Sequence, residues 1–359
     1  MRKICLCVLM LGLTTLTVAQ QKIDHLIIIT TDGLRWQEVF NGMDKEIAGN
    51  SKVNGGDSAR LFRQYWADDV NERRKKLMPF LWSTFAANGQ LYGNREYDNK
   101  VNVVNPYWFS FPGYNEILTG YADPSINSND LKENHNTNLL DFINDRKGYE
   151  GRVIAFSAWL AHKGILNQAT ARYPVFAAFD TVDVQPLTHA QMAINKMVTD
   201  SHKVFSETAC QDVFTQYAAM EYLKEHKSKV MYIAYAETDK WAHSGKYYNY
   251  LESANNIDKW LGDLWEFIQN DPEYKNRTAI LFTTDHGRES SATWTNHKLQ
   301  ESNAIWFAIA APGLPAKGEV KQDMQLYQEQ FAQTMAVLLG MDFKCEHPVA
   351  SAIKQIHLK

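Results

Sequence analysis

The strongest constraint on this chain is a set of short runs that are apolar on both alternating faces, at 25–31, 152–157, 229–236, 278–284 and 304–311. A strand with one wet face alternates polar and apolar residues, whereas a strand covered on both faces does not, and that second pattern belongs to parallel sheets. Helical patterns at 78–87, 115–120, 138–145, 210–226, 250–269 and 327–339 separate the runs. The expected fold is therefore α/β, a three-layer sandwich with a central, mostly parallel sheet and helices on both faces. No internal repeat and no long Pro/Ser/Gly linker divides the 359 residues, so a single domain over 20–359 is expected. Two segments break the rhythm and are expected to decorate a pocket: 44–76, polar and then strongly charged, and 169–203, which mixes aromatics with Pro174 and Pro186.

The first residues have a different character. Arg2 and Lys3 precede an apolar run that closes on Thr17, Val18 and Ala19, which reads as a secretory signal over 1–19 cut after Ala19. The run is short for a membrane span, which needs about 20 apolar residues, and no later run is longer. An exported protein, periplasmic or secreted and without a membrane span, is the expectation. Cys5 and Cys7 lie at the start of this segment rather than after its apolar run, which argues against a lipid anchor. Cys210 and Cys345 remain, either as one bridge or as two separate thiols. A net charge of −4 and no basic stripe beyond Arg73, Arg74, Lys75 and Lys76 exclude a nucleic-acid polymer as the expected partner.

Three of the apolar runs end on an acid: Asp32, Asp239 and Asp285 follow the strands at 25–31, 229–236 and 278–284. Ligands of open α/β sheets gather beyond the carboxyl ends of the strands, so the three acids can face one crevice. Histidines accompany them. Asp285-His286-Gly287 sets two donors side by side, Asp239-x-x-x-His243 sets two on one helical face, and His297 follows closely. Singly, each has an ordinary reading as a turn former, a polar turn or a helix salt link. Together, the oxygen and nitrogen donors suit divalent ions such as zinc and are too many for one tetrahedral centre, so two metals fit better. Ser110 precedes Pro112 and a helical stretch. A serine there is either a helix cap or, beside a metal, a nucleophile with helix N–H groups aimed at an anionic oxygen.

With Thr31-Asp32-Gly33, Ser110-Phe111-Pro112-Gly113, Leu118-Thr119-Gly120, Asp239-x-x-x-His243, Asp285-His286-Gly287 and His297 in this order, the chain resembles the alkaline phosphatase superfamily of two-metal hydrolases. Within it, the similarity is to the type I phosphodiesterase/nucleotide pyrophosphatase-like and secreted alkaline phosphatase-like branches. The resemblance implies an alkaline phosphatase-like core in which Asp32, Ser110, Asp285 and His286 hold one zinc while Asp239, His243 and His297 hold the other. There are departures. Gly113 stands where the nucleotide pyrophosphatase-like branch has Asn, with Asn115 nearby as a substitute, and Tyr114 stands where sulfatase maturation needs Arg.

The resemblance implies an exported phosphatase or phosphodiesterase that cleaves small phosphate esters through a phosphoserine on Ser110, with two divalent ions, zinc first and manganese second. Monoesters favour a cation at the remaining oxygens, and diesters an apolar groove. Lys163, Arg172, Arg288 and Lys298 are candidate cations, and Trp108, Tyr114 and Trp159 candidate walls. Asn115, Trp159 and Lys163 are the expected substrate contacts. The alternative is an exported metal- or ligand-binding protein of the same fold without turnover. A Ser-His-Asp esterase is disfavoured by the lack of a G-x-S-x-G elbow.

Overall fold

A computed structural model describes residues 23–358; the expected signal segment at 1–19, with Cys5 and Cys7, lies outside the described residues. Strands run in chain order β1 (His25–Thr31), β2 (Gln90–Tyr92), β3 (Asn99–Asn102), β4 (Val153–Ser157), β5 (Val175–Ala177) and β6 (Val230–Tyr235), then β7 (Thr278–Thr284), β8 (Ala304–Ile305), β9 (Phe307–Ala310), β10 (Gly318–Glu319) and β11 (Met324–Tyr327). Eight of them form one sheet in the order β10-β2-β9-β7-β1-β6-β4-β5. Every pairing from β7 through β5 is parallel, and β9 runs against both of its neighbours. A small sheet, β11-β3-β8, stands beside it.

The two-residue period of each strand feeds two cores. Leu26 and Ile28 of β1, Tyr232 and Ala234 of β6, and Ala279 and Leu281 of β7 enter one cluster. Ile27, Ile29, Met231, Ile233, Ile280 and Phe282 enter the other. Both faces are dry, which is why the runs do not alternate. The apolar run at 304–311 is not one strand but two. Trp306 interrupts it, its indole N–H donating to the Leu34 carbonyl (2.9 Å) and its own carbonyl accepting from Thr283 Oγ1 (2.5 Å).

Both expected decorations carry more of the fold than their composition suggests. Segment 44–76 forms the helices Lys45–Gly49, Ser58–Tyr65 and Val70–Leu77, each started by an aspartate side chain, of Asp44, Asp57 or Asp69, accepting from N–H groups of the first turn. Ile47, Leu61, Tyr65 and Leu77 of these helices are buried in the second core. Segment 169–203 supplies β5, an edge strand of the main sheet, and a helix, His189–Asp200, that packs on the helix Asp212–His226. Cys210 and Cys345 are free thiols; Cys210 is buried and Cys345 lies 3.2 Å from His347 Nε2.

Just beyond β1, the buried Arg35 pairs with Glu38, and Tyr247 Oη donates to the same carboxylate at 2.8 Å. Arg35 Nη1 also donates to the Glu289 carbonyl at 3.1 Å. This buried pair ties the loop after β1 to the helix Tyr247–Asn270 and to the segment after β7, so the turns carrying Asp32 and Asp285 are braced from behind.

Candidate metal centre and nucleophile

Register brings the acids together. β1 lies between β6 and β7, and Thr31 is level with Tyr235 on one side and Thr284 on the other. The next residue of β1 is Asp32 and the next of β7 is Asp285, so both carboxylates leave the sheet at the same height. Asp32 N–H still donates to Tyr235 O (3.0 Å), and Gly33 N–H donates to Asp285 Oδ1 (2.9 Å). Gly33 has φ +61°, and a Cβ there would lie 2.7 Å from Arg288 Nη1 and 3.2 Å from His286 Cε1. Only glycine lets the chain turn so close to the site.

After β6 the chain enters the short helix Glu237–His243, with Asp239 in its first turn and His243 in its last. Asp239 Oδ1 lies 3.2 Å from His243 Nε2, as the four-residue spacing requires. Thr238 Oγ1 donates to Asp32 O (2.5 Å) and lies 2.9 Å from Thr31 Oγ1, which fixes this helix to the end of β1. His297 arrives on the loop beyond β7, with its Nε2 3.1 Å from His243 Nε2 and its ring 4.3 Å from that of His286.

Ser110 opens the helix Ser110–Thr119; the cap position is Phe109 and no side chain caps it. The hydroxyl therefore does not serve as a helix cap. It lies 3.4 Å from Asp32 Oδ1 and 3.4 Å from His286 Nε2. Pro112 sits in the first turn, where its missing N–H costs nothing. Gly113 has a packing reason: a Cβ would be 2.4 Å from the Asp285 carbonyl, so this helix lies directly against the backbone of the acid it serves. Of the N–H groups at the start of this helix, which the sequence suggested for an anionic oxygen, that of Phe111 donates to Asn129 Oδ1 (2.9 Å).

Donor atoms from Asp32, Asp285 and His286 all lie within 4.8 Å of one another, and so do those from Asp239, His286 and His297. His286 stands between the two groups. The residues fit divalent metals on several counts. The His286 and His297 Nδ1 atoms meet backbone carbonyls, Gly287 O (2.7 Å) and Trp108 O (3.0 Å), which fixes the tautomer that leaves each Nε2 lone pair pointing inward. Asp285 Oδ2 is buried with no hydrogen-bond partner among the described residues. Burial and the neighbouring Asp32 hold the Asp285 carboxyl well above its usual range. Burial would depress His286, yet Asp285, Asp32 and Asp239 lift it to about 9. Burial and the neighbouring His286 push His297 down. Crowded carboxylates in a buried cavity thus hold one acid up and lift one imidazole, whereas at Asp239 the Arg288 guanidinium and His243 overcome burial and hold the carboxyl low.

Tyr114 and Arg288 stand closer to the chemistry than their sequence context suggested. Tyr114 is buried and its hydroxyl donates to Asp32 Oδ2 (3.3 Å). Arg288 is buried and donates to Asp239 Oδ1 (2.5 Å). The expected substrate contacts lie differently. Asn115 spends its amide on the loop, donating to Tyr121 O (2.8 Å) and accepting from Asn134 (3.0 Å) and Asn136 (3.2 Å), so it does not replace the asparagine absent at position 113. Lys163 pairs with Asp180 at 2.8 Å. Arg172 pairs with Asp145 at the surface. Trp159 packs beside Tyr114, ring centroids 6.5 Å apart, with Lys240 Nζ 5.7 Å over its ring.

Residues 175–342 match the family model described as the Metalloenzyme superfamily, a span that includes Asp239, His243, Asp285, His286 and His297. Among solved structures, the alkaline phosphatase PafA is 10% identical over 94% of this chain and 99% of its own, with a TM-score of 0.60. The lipoteichoic acid synthase LtaP from Listeria monocytogenes is 11% identical over 90% of this chain and 73% of its own, at 0.55. The phosphonate monoester hydrolase of Agrobacterium radiobacter is 12% identical over 88% and 74%, at 0.52. No curated protein matches in sequence. The chain shares the alkaline phosphatase-like fold of these structures, and its second half, over 175–342, is similar to the Metalloenzyme superfamily.

Proposed function

We propose that this chain is an exported two-metal hydrolase of small phosphate esters, monoesters or diesters, that works through a phosphoserine on Ser110 and carries zinc, with manganese as the second choice. The observation that carries the reading is the Ser110 hydroxyl, 3.4 Å from both Asp32 Oδ1 and His286 Nε2, at the rim of two adjoining donor clusters. The Arg2-Lys3 start and the apolar run after it support export.

Asp32, Ser110, Asp285 and His286 would hold one ion, and Asp239, His243 and His297 the other. When bound, such a pair supplies Lewis-acid charge to the entering and leaving oxygens of an in-line displacement. The residues do the rest. The helix Ser110–Thr119 fixes the hydroxyl toward the crevice, and Tyr114 holds Asp32. Ser110 Oγ gives up its proton and forms the bond to phosphorus while the bond to the ester oxygen breaks, and the departing oxygen leaves as the alcohol carrying that proton. Water then attacks the phosphoserine from the vacated side, freeing phosphate or its monoester and returning the proton to Ser110.

Metal counting on the purified protein, with turnover of paired aryl phosphate mono- and diesters, tests the reading. Ser110→Ala is expected to retain its metals and lose about 1,000-fold or more of kcat. Turnover of neither ester class by the metal-loaded protein overturns it. Unchanged turnover in Ser110→Ala overturns the phosphoserine, and metal binding without turnover of either ester favours the non-catalytic binding protein.

A further inference from the structure

Arg288 follows Asp285-His286-Gly287 directly and is a permanent cation buried beside a carboxylate that has metal work to do. All three nitrogens of its fork are used. Nη1 donates to Asp239 Oδ1 (2.5 Å), Nε to Trp294 O (2.9 Å) and Nη2 to Thr295 O (2.6 Å). One guanidinium therefore joins the helix that carries Asp239 to the loop that carries His297. The bare Gly33 leaves room for it.

The two donor groups consequently differ in charge. Asp32 and Asp285 offer two carboxylates, Asp285 with an Oδ2 that accepts no hydrogen bond, and His286 adds an imidazole donor. Asp239 is the one carboxylate of the other group, and Arg288 already matches it; His243, with a side chain 45% exposed, and His297 are imidazole donors that add no carboxylate. Affinity for a hard or borderline dication rises with the number of carboxylate charges and falls with solvent access.

We propose that Arg288 is a positioning residue that makes the two metal positions unequal: the Asp32/Asp285/His286 position holds its ion tightly, while the Asp239/His243/His297 position is kept assembled but charge-matched and exchanges its ion readily. The inference rests on the two-metal reading above. The fork preserves the geometry of the weaker position when it is empty, because Asp239 and the 294–295 backbone are bound to the same group.

Equilibrium dialysis of the full-length wild-type protein against buffered Zn²⁺, with bound metal counted, reads both positions without any turnover assay. Two classes of site are expected, separated by about 10- to 100-fold in Kd. Arg288→Gln keeps an amide donor and removes the positive charge that repels a dication, and is expected to tighten the weaker class about tenfold while leaving the tighter class in place. Arg288→Lys keeps the charge and should keep the gap. Asp32→Asn should narrow the gap from the other side by loosening the tight class, which keeps the idea testable if Arg288→Gln does not fold. Two equal classes in the wild type, or an Arg288→Gln protein whose weaker class is unmoved or weakened, overturns the proposal. A wild type that binds no metal overturns the two-metal reading itself.

Discussion

Two sets of buried carboxylates occupy this molecule under similar desolvation, and they are treated in opposite ways. Glu116, Asp212 and Asp258 each accept main-chain N–H groups on both oxygens: Val104 and Asn105 on Glu116, Ala236 and Glu237 on Asp212, Phe80 and Leu81 on Asp258. Asp32 and Asp285 do not have such cover. The contacts of Asp32 with Ser110 and Tyr114 are long, at 3.4 and 3.3 Å, and Asp285 Oδ2 accepts no hydrogen bond among the described residues, with His286 Nε2 3.4 Å away. Asp239 falls between the two, with a guanidinium in place of an amide. Burial alone therefore does not mark a functional acid. What sets Asp285 apart is that, among the carboxylate oxygens of the described residues, its Oδ2 is the one buried without a hydrogen bond.

The largest expected effect follows from that contrast. Asp285→Asn removes a charge and an unpartnered acceptor from the tight donor group, and is expected to lower metal occupancy there and cut ester turnover by about 1,000-fold or more. Asp258→Asn changes an equally buried acid, yet metal content and kcat are expected to stay within about threefold of wild type. Metal counting and steady-state kinetics on the two variants check this. Equal metal loss in both would break the comparison.

Glu38 sharpens it from the side of stability. Its carboxylate is buried like that of Asp285 but fully engaged, by Arg35 and by the Tyr247 and Tyr250 hydroxyls (2.8 and 3.3 Å). Glu38→Ala leaves the buried Arg35 guanidinium without its counter-charge, an arrangement that costs about 3–5 kcal/mol. Urea unfolding of the metal-loaded protein should show that loss as a lower midpoint. A loss below about 1 kcal/mol would mean that Arg35 finds water or Asp44, 3.4 Å away, and that the brace behind Asp32 is not what holds the turn.

How much of this the sequence disclosed depends on the range of the interaction. The strands β1, β4, β6 and β7 are legible because both faces are dry, and the fold follows from them. The acids and histidines are legible because strand ends and helical spacing are local facts. Short strands such as β2, β5 and β10 are not, since two or three residues carry no period and pairing partners from distant segments define them. The same holds for Arg288, whose role is set by Asp239, 49 residues away, and for Asn115, whose amide is claimed by the loop at 121–136. The Gly113 departure is legible as a change and unreadable as a cause until Asp285 O is seen against it.

The smallest effect tests whether the satisfied acids titrate as buried groups should. Burial outweighs the two N–H donors at Asp258 and lifts its carboxyl from 3.8 to about 7. A raised folded value means that the native protein holds a proton the unfolded chain has already released. The stabilisation is then complete below about pH 4 and is lost as the pH climbs toward 7. Asp258→Asn cannot release that proton, and its turned amide imposes a cost that does not vary with pH. The wild type should therefore lose on the order of 2 kcal/mol relative to Asp258→Asn between pH 5 and pH 7, within the limit of one proton per molecule. Denaturant midpoints of both proteins across that range read the difference directly, with the metal ligands' own titration common to the two. A gap that stays level or widens with pH would show that the Phe80 and Leu81 N–H groups keep Asp258 ionised, and that hydrogen-bonded burial alone does not hold an acid neutral here.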